Sequence, residues 1–250
     1  NSTLEKFGQQ QEDGSFKPFH LYSMKQAIEE GFILDVIANY TTYKSYYEIE
    51  KSIQDNPEFD TAKAQKRLRA YVETSQQTID TKAEIMLEHF IPHVVNAKKL
   101  KGKGKGMVVT QNIVTAIRYY KAIKRVLEEH GNPFKVAIAF SGSKEVDGIE
   151  YTEAEMNGFA ESETKDKFDT DEYRILVVAN KFQTGFDQPL LSAMFLDKAV
   201  KGVNAVQTVS RLNRKHIDKE QDDILVVDFT NSTENIFKAF NQHRKGSPYT

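Results

Sequence analysis

Residues 175–189 read ILVVANKFQTGFDQP, and the fold follows from how that stretch divides. Ile175 to Ala179 is an unbroken apolar run. It passes without a break into a polar loop that holds Thr184, Gly185 and Asp187. A strand with water on one face alternates apolar and polar residues. A strand apolar throughout is covered on both faces, as in a parallel sheet. The same kind of run recurs at Met107–Thr110 (MVVT), Val136–Phe140 (VAIAF), Ala193–Leu196 (AMFL) and Ile224–Phe229 (ILVVDF). Between these runs lie helical patterns. Ile113, Ile117, Tyr120 and Leu127 mark one; Val203–Asn213 and Ser232–His243 fit two more. The expected fold is α/β: a parallel sheet with helices on both faces. Ligands in such sheets sit at the carboxyl ends of the strands.

Upstream, the pattern predicts a strand at Phe19–Ser23 and a helix whose apolar stripe is Met24, Ile28, Phe32 and Val36. A Thr/Tyr-rich strand follows at 41–49, then helices over 60–75 and 81–96, the second kinked or restarted by Pro92. Three segments result: an arm over 1–17, a strand-helix-strand plus helical insertion over 18–97 packed on the main domain, and the sheet core with its last helix over 98–250. The chain does not begin with Met, so a piece of a longer protein is expected.

Composition bounds the function. Across 250 residues, 34 basic and 36 acidic side chains leave a net charge of −2, so any nucleic-acid contact has to be a local patch. Cysteine is absent, which excludes disulfides, thiol catalysis and Cys-ligated metals and fits a cytoplasmic location. No apolar run approaches the ~20 residues of a membrane-spanning helix, so no membrane partner is expected.

Two motifs carry chemistry. In Gln207-Thr-Val-Ser-Arg-Leu-Asn-Arg214 a continuous helix would set Gln207, Arg211 and Arg214 on one face. Arginine is a planar, permanently charged ligand for phosphate, and in NTP hydrolysis it stabilises charge developing on the γ-phosphate. A solvated basic face is the plain alternative. In the 180–189 loop, Gly185 permits close backbone approach, Thr184 suits a phosphate contact, and Asp187 suits orienting an arginine. Asp187 as a helix N-cap is the plain alternative there.

Together these motifs resemble motifs V and VI of superfamily 2 helicases and translocases. Ser210 stands where the general Q-x-x-G-R-x-x-R pattern has Gly. Met107–Gln111 resembles motif IV, and the strand ending at Ser141 resembles its successor. HLYSMKQAIEEGFILD (20–35) and TGFDQPLLSAMFLDK (184–198) are similar to the second RecA-like motor domain of type I restriction–modification R subunits. The opening NSTLEKFG would then follow motif III of a first motor domain. The resemblance implies an ATP-dependent double-stranded DNA translocase. Arg211, Arg214 and Gln207 would serve catalysis at an ATP site shared with that first domain. Gly185 and Asp187 would bind the cofactor, and Thr110, Gln111, Ser141 and Thr184 would bind the DNA backbone. ATP and Mg2+ belong to the full subunit, with neither expected to bind this fragment tightly. Modification and specificity subunits would be further partners. The alternative is a non-catalytic DNA- or protein-binding domain that keeps the motor motifs as scaffold.

Several features only imitate sites. Lys101–Gly106 (KGKGKG) lacks phosphate-loop spacing and precedes a strand, so a solvated linker is expected. Asp171-Glu172 precedes its strand, unlike a magnesium-binding pair. Asp147 with Glu163 and Lys165 imitates a nuclease set without its strands. His89 and His93 lack further zinc ligands, and no metal site is expected. Tyr40, Tyr43, Tyr46 and Tyr47 suit base stacking or a partly buried strand equally.

Overall fold

The computed structural model describes residues 8–10, 16–18, 24–43, 79–179, 181 and 186–244. The first elements are a short antiparallel pair, β1 (Gly8–Gln10) and β2 (Phe16–Pro18), and helix α1 (Met24–Glu29). Strand β3 (Tyr40–Thr42) and helix α2 (Ile79–Phe90) follow. Then come β4 (Lys105–Thr110), α3 (Ile113–Glu129), β5 (Lys135–Ala139) and the hairpin β6 (Ser143–Val146) and β7 (Ile149–Thr152). Helices α4 (Glu153–Asn157) and α5 (Thr164–Asp169) lead to β8 (Tyr173–Val178). Strand β9 (Leu191–Asp197), helix α6 (Gly202–Val209), strand β10 (Leu225–Asp228) and helix α7 (Thr233–Arg244) complete the chain.

Six strands form one sheet in the order β3-β10-β9-β4-β8-β5, and every neighbouring pair is parallel. All five expected apolar runs are strands of it. Side chains alternate between two cores, as a pleated strand requires. Val108, Ile138, Val177 and Phe195 face α2 and α3. Met107, Ala137, Leu176 and Met194 face α6 and α7. The expected fold class, an α/β parallel sheet with helices on both faces, is the one observed.

The upstream expectations change in detail. The strand expected at 19–23, the helix over 60–75 and residues 44–49 lie outside the described residues. Helix α1 stops at Glu29, because Gly31 takes φ +75°, and Phe32 is 67% exposed rather than part of a buried stripe. Tyr40 and Tyr43 are buried, which removes them from base stacking. Tyr40 donates to Asp228 Oδ2 at 2.8 Å, and Tyr43 stacks on Phe229. Tyr46 and Tyr47 lie outside the described residues. Pro92 does not break α2; the backbone widens into one π-helical stretch, Ile91–Asn96.

The lysine–glycine run is structure rather than linker. Strand β4 begins inside it, at Lys105. A Cβ on Gly106 would lie 2.9 Å from the Phe90 ring, and one on Gly104 would lie 2.7 Å from Val94 Cγ1. Glycine lets helix α2 and the π-turn settle on the strand. Lys105 itself is fully buried, with its amine donating to the Thr170 and Tyr173 carbonyls at 2.7 and 2.8 Å. Burial draws that amine down to about 8. Lys99 and Lys101 pair with Asp223 and Asp218.

His89 is buried on α2, stacked on His93 with centroids 4.7 Å apart and edge-on to Phe195. Burial, and secondarily His93, pulls it down to about 3. An unfolded chain takes up this proton near pH 6.5, and the folded one only near pH 3. The stability contribution is therefore full above pH 6.5 and is lost as the pH falls from there toward 3. At pH 4.5 the loss should be about 2–3 kcal/mol. Urea unfolding of His89→Phe should show a shallower fall in stability between pH 7 and 4.5 than the parent by this amount.

Candidate anion site at the motif VI turn

The chain leaves β9 at its carboxyl end, and α6 carries it back along the sheet. The helix ends after eight residues. Ser210–Asn213 tightens into a 3-10 turn, and Arg214 is extended, with φ −63° and ψ 129°. Gln207, Arg211 and Arg214 therefore do not share one helical face, which corrects the expectation from spacing. The cause is a non-local pairing. Arg214 bridges Ile33 antiparallel, and the Leu34 N–H donates to the Asn213 carbonyl at 2.9 Å.

This turn lies beside the loop that enters β9. Arg214 Nε is 3.3 Å from Asp187 Oδ1, with both side chains more than half exposed. Arg211 is half-buried and donates from Nη1 to the Phe186 carbonyl at 3.4 Å. Desolvation, and secondarily the Arg214 charge, disfavours its charged form. The Asp187 carboxylate pairs with Arg214, and Arg211 feels the Arg214 charge. Asp187 holds an arginine and is not a helix N-cap, since the residues after it turn directly into β9. Thr184 and Gly185 lie outside the described residues.

A residue passed over in the sequence binds this turn to its loop. Lys219 is buried, and its amine donates to the Leu212 and Pro189 carbonyls, each at 3.0 Å. Burial draws it down to about 8, against the pull of Asp223 and Asp187. Nothing in a KHIDKEQD stretch marks one lysine as internal.

Gln207 stands elsewhere. It lines an open cleft of about 300 Å³ with Lys198, Lys201, Asn204 and Thr208, toward the carboxyl ends of the strands. Gln111 is exposed at the same edge, where its Oε1 accepts from the Ala199 N–H at 3.1 Å. Ser141 is exposed just past β5. Thr110 is not available there. Its side chain is fully buried, and its hydroxyl donates to the Val178 carbonyl at 3.0 Å, so its expected DNA contact is withdrawn. Next to it, Asp197 accepts from Lys82, Tyr119 and Thr230. Sequence reasoning did not single out this network.

The imitations resolve into local roles. Asp147 sits in the β6–β7 turn and pairs with Arg118 at 3.6 Å, whereas Glu163 caps the Ala160 amide. Glu172 pairs with Lys135. Among the described residues, no three His, Asp or Glu side chains converge as a metal site needs, and no helix is long and apolar enough to cross a membrane.

Residues 149–231, from β7 through β10 and including both arginines, match the family model "Type I restriction enzyme subunit R domain 3". Over that segment the chain is similar to type I restriction enzyme R subunits. It is 28% identical over 204 residues to a protein described as the MjaIXP type I restriction enzyme endonuclease subunit of Methanocaldococcus jannaschii, covering 78% of this chain and 18% of that protein. It is 24% identical over 242 residues to the HindI endonuclease subunit of Haemophilus influenzae, covering 89% of this chain and 22% of the relative. The chain therefore spans about a fifth of the length of these curated relatives. A solved fragment described as an HsdR subunit of a type I restriction enzyme from Vibrio vulnificus shares the fold. It has 16% identity and a TM-score of 0.52, covering 93% of this chain and 38% of the fragment.

The burial of Thr110 makes a clean distinction. Thr110→Val strands the Val178 and Asn112 carbonyls without that hydroxyl, and should cost about 1–2 kcal/mol in urea unfolding. A stability within about 0.5 kcal/mol of the parent would contradict the role given to this buried hydroxyl.

Proposed function

We propose that the chain is the second RecA-like motor domain of an ATP-dependent double-stranded DNA translocase in a type I restriction endonuclease. Arg211 and Arg214 are supplied to an ATP site shared with the first motor domain of the parent subunit. One observation carries this reading. Two neighbouring guanidiniums meet the β9 entry loop, Arg214 at the Asp187 carboxylate and Arg211 at the Phe186 carbonyl. The half-buried Arg211 is held in its charged form against both desolvation and its neighbour. A polyanion entering beside this pair removes the like-charge penalty and gains charge-assisted hydrogen bonds. The gain is greatest where negative charge peaks, on a phosphoryl group in transfer.

In this reading Asp187 sets the direction of Arg214, and Arg211 is steadied by the Phe186 carbonyl. Gly185 is assigned to nucleotide binding. Gln207 lines the Lys198–Lys201 cleft, so it acts on the DNA-facing edge rather than on the arginines. Gln111 and Ser141 contact the DNA backbone at the carboxyl edge, and Thr184 is assigned the same role, which gives affinity without sequence choice. Target choice then falls to specificity and modification subunits. ATP and Mg2+ belong to the full subunit, and this chain contributes the side chains that grip and orient.

DNA-stimulated ATP turnover of the full subunit tests the reading. Arg214→Ala and Arg211→Ala should each lower kcat by ~10³-fold or more, and the isolated 250-residue chain should be silent. Near-normal turnover in both variants, with weakened complex assembly, would replace the motor reading by a scaffold one.

A further inference from the structure

The arginine turn is short, irregular and partly exposed, yet function requires its guanidiniums to keep a fixed spacing. Besides the Asp187 ion pair and the Ile33 bridge of Arg214, hydrogen bonds to its carbonyls and from Arg211 hold it. The Leu34 N–H takes the Asn213 carbonyl, Arg211 takes the Phe186 carbonyl, and Lys219 takes both the Leu212 and the Pro189 carbonyls. Only the last reaches two segments at once. Leu212 sits between Arg211 and Arg214; Pro189 lies two residues beyond Asp187. A long stem ending in a compact, multi-donor amine can bridge carbonyls on two strands of chain from a third. Lys219 is 5% exposed, and a position so dry offers its amine no water in exchange. The turn that carries it is in turn fixed. Its own N–H donates to the His216 carbonyl, and Lys101 pairs with Asp218 beside it.

We infer that Lys219 is a positioning residue for ATP turnover: its buried amine ties the Asp187–Pro189 loop to the Arg211–Arg214 turn and so fixes where both guanidiniums point. This rests on the reading of those arginines as groups supplied to ATP. Without the amine, one buried and one part-buried carbonyl lose this donor, and the two segments lose the bridge between them. A shift of about 1 Å in a catalytic group costs up to ~10²-fold in rate.

The test is a double-mutant cycle on the full R subunit, measuring kcat and KM for ATP with saturating DNA. The four proteins are the parent, Lys219→Met, Arg214→Ala and the double variant. Lys219→Met should lower kcat by ~10- to 100-fold with KM within about twofold, because the arginines act in the transition state rather than in ground-state binding. In the Arg214→Ala background the same change should lower kcat by clearly less than in the parent, because only Arg211 is left to misplace. An equal loss in both backgrounds marks a merely structural lysine and overturns the inference, as does an unchanged kcat in Lys219→Met. If Arg214→Ala itself turns over ATP normally, the arginine reading has failed first, and the cycle shows that separately. Should Lys219→Met not fold, Lys219→Leu, which also removes the donor but keeps an apolar stem, carries the same comparison with the same criteria.

Discussion

An all-parallel sheet must be roofed on both faces, and its connections must recross the domain between strands. That constraint places everything else in this molecule. Each strand delivers the chain to the carboxyl edge, and each connection returns it to the amino edge. Helix α6 is such a return. It starts beside Lys198 and Lys201, at the carboxyl end of β9, and finishes beside the loop that enters β9. Motif VI is thereby split. Gln207 stays with the carboxyl-edge cleft, while Arg211 and Arg214 arrive beside Asp187 near the strand's beginning.

The same roofing dictates how charge is handled. A buried charge survives only when it is paired or multiply hydrogen-bonded. Lys105 meets two carbonyls, and Lys219 meets two more. Glu153, almost fully buried, accepts from the Phe140 amide, Thr164 and Lys181. Asp228 is pushed up by burial and drawn down again by the Asn231 and Thr230 amides and the Tyr40 hydroxyl. Each of these groups joins elements far apart in sequence. Against that background the arginine turn stands out: its two cations are neighbours with one exposed carboxylate between the segments.

The central strands were legible in the sequence because doubly covered strands are apolar at every position, a signal that needs no context. Helices α3 and α7 were legible for the complementary reason, a one-sided stripe. The β6–β7 hairpin was missed although its signal was present. Asp147-Gly148 between KEV and IEYT takes two positive φ values, the turn such a pair favours. Other features had no local signal. Arg214 leaves the helix because Ile33, far upstream, bridges it. Gly106 is needed because Phe90 arrives from α2. The resemblance implies a DNA contact at Thr110, but side chains at a strand's end alternate in direction too, and this one points its hydroxyl inward at Val178.

Strand β9 gives the two edges a mechanical connection. Its carboxyl end holds Asp197, gripped by Lys82 from α2, Tyr119 from α3 and Thr230 beyond β10. Its amino end continues from the loop of Phe186, Asp187 and Pro189, which is bound in turn by Arg211, Arg214 and Lys219. Between those ends the strand is flanked by β4 and β10 and buried on both faces, with no slack for local bending. A displacement imposed on the loop must therefore move the strand as a unit. The turn after α6 is coupled to it, because Lys219 ties the Leu212 carbonyl to the Pro189 carbonyl and the Leu34 N–H holds the Asn213 carbonyl. A ligand gripped by the arginines would pull on the sheet through Asp187 and on the upstream segment through Ile33 and Leu34.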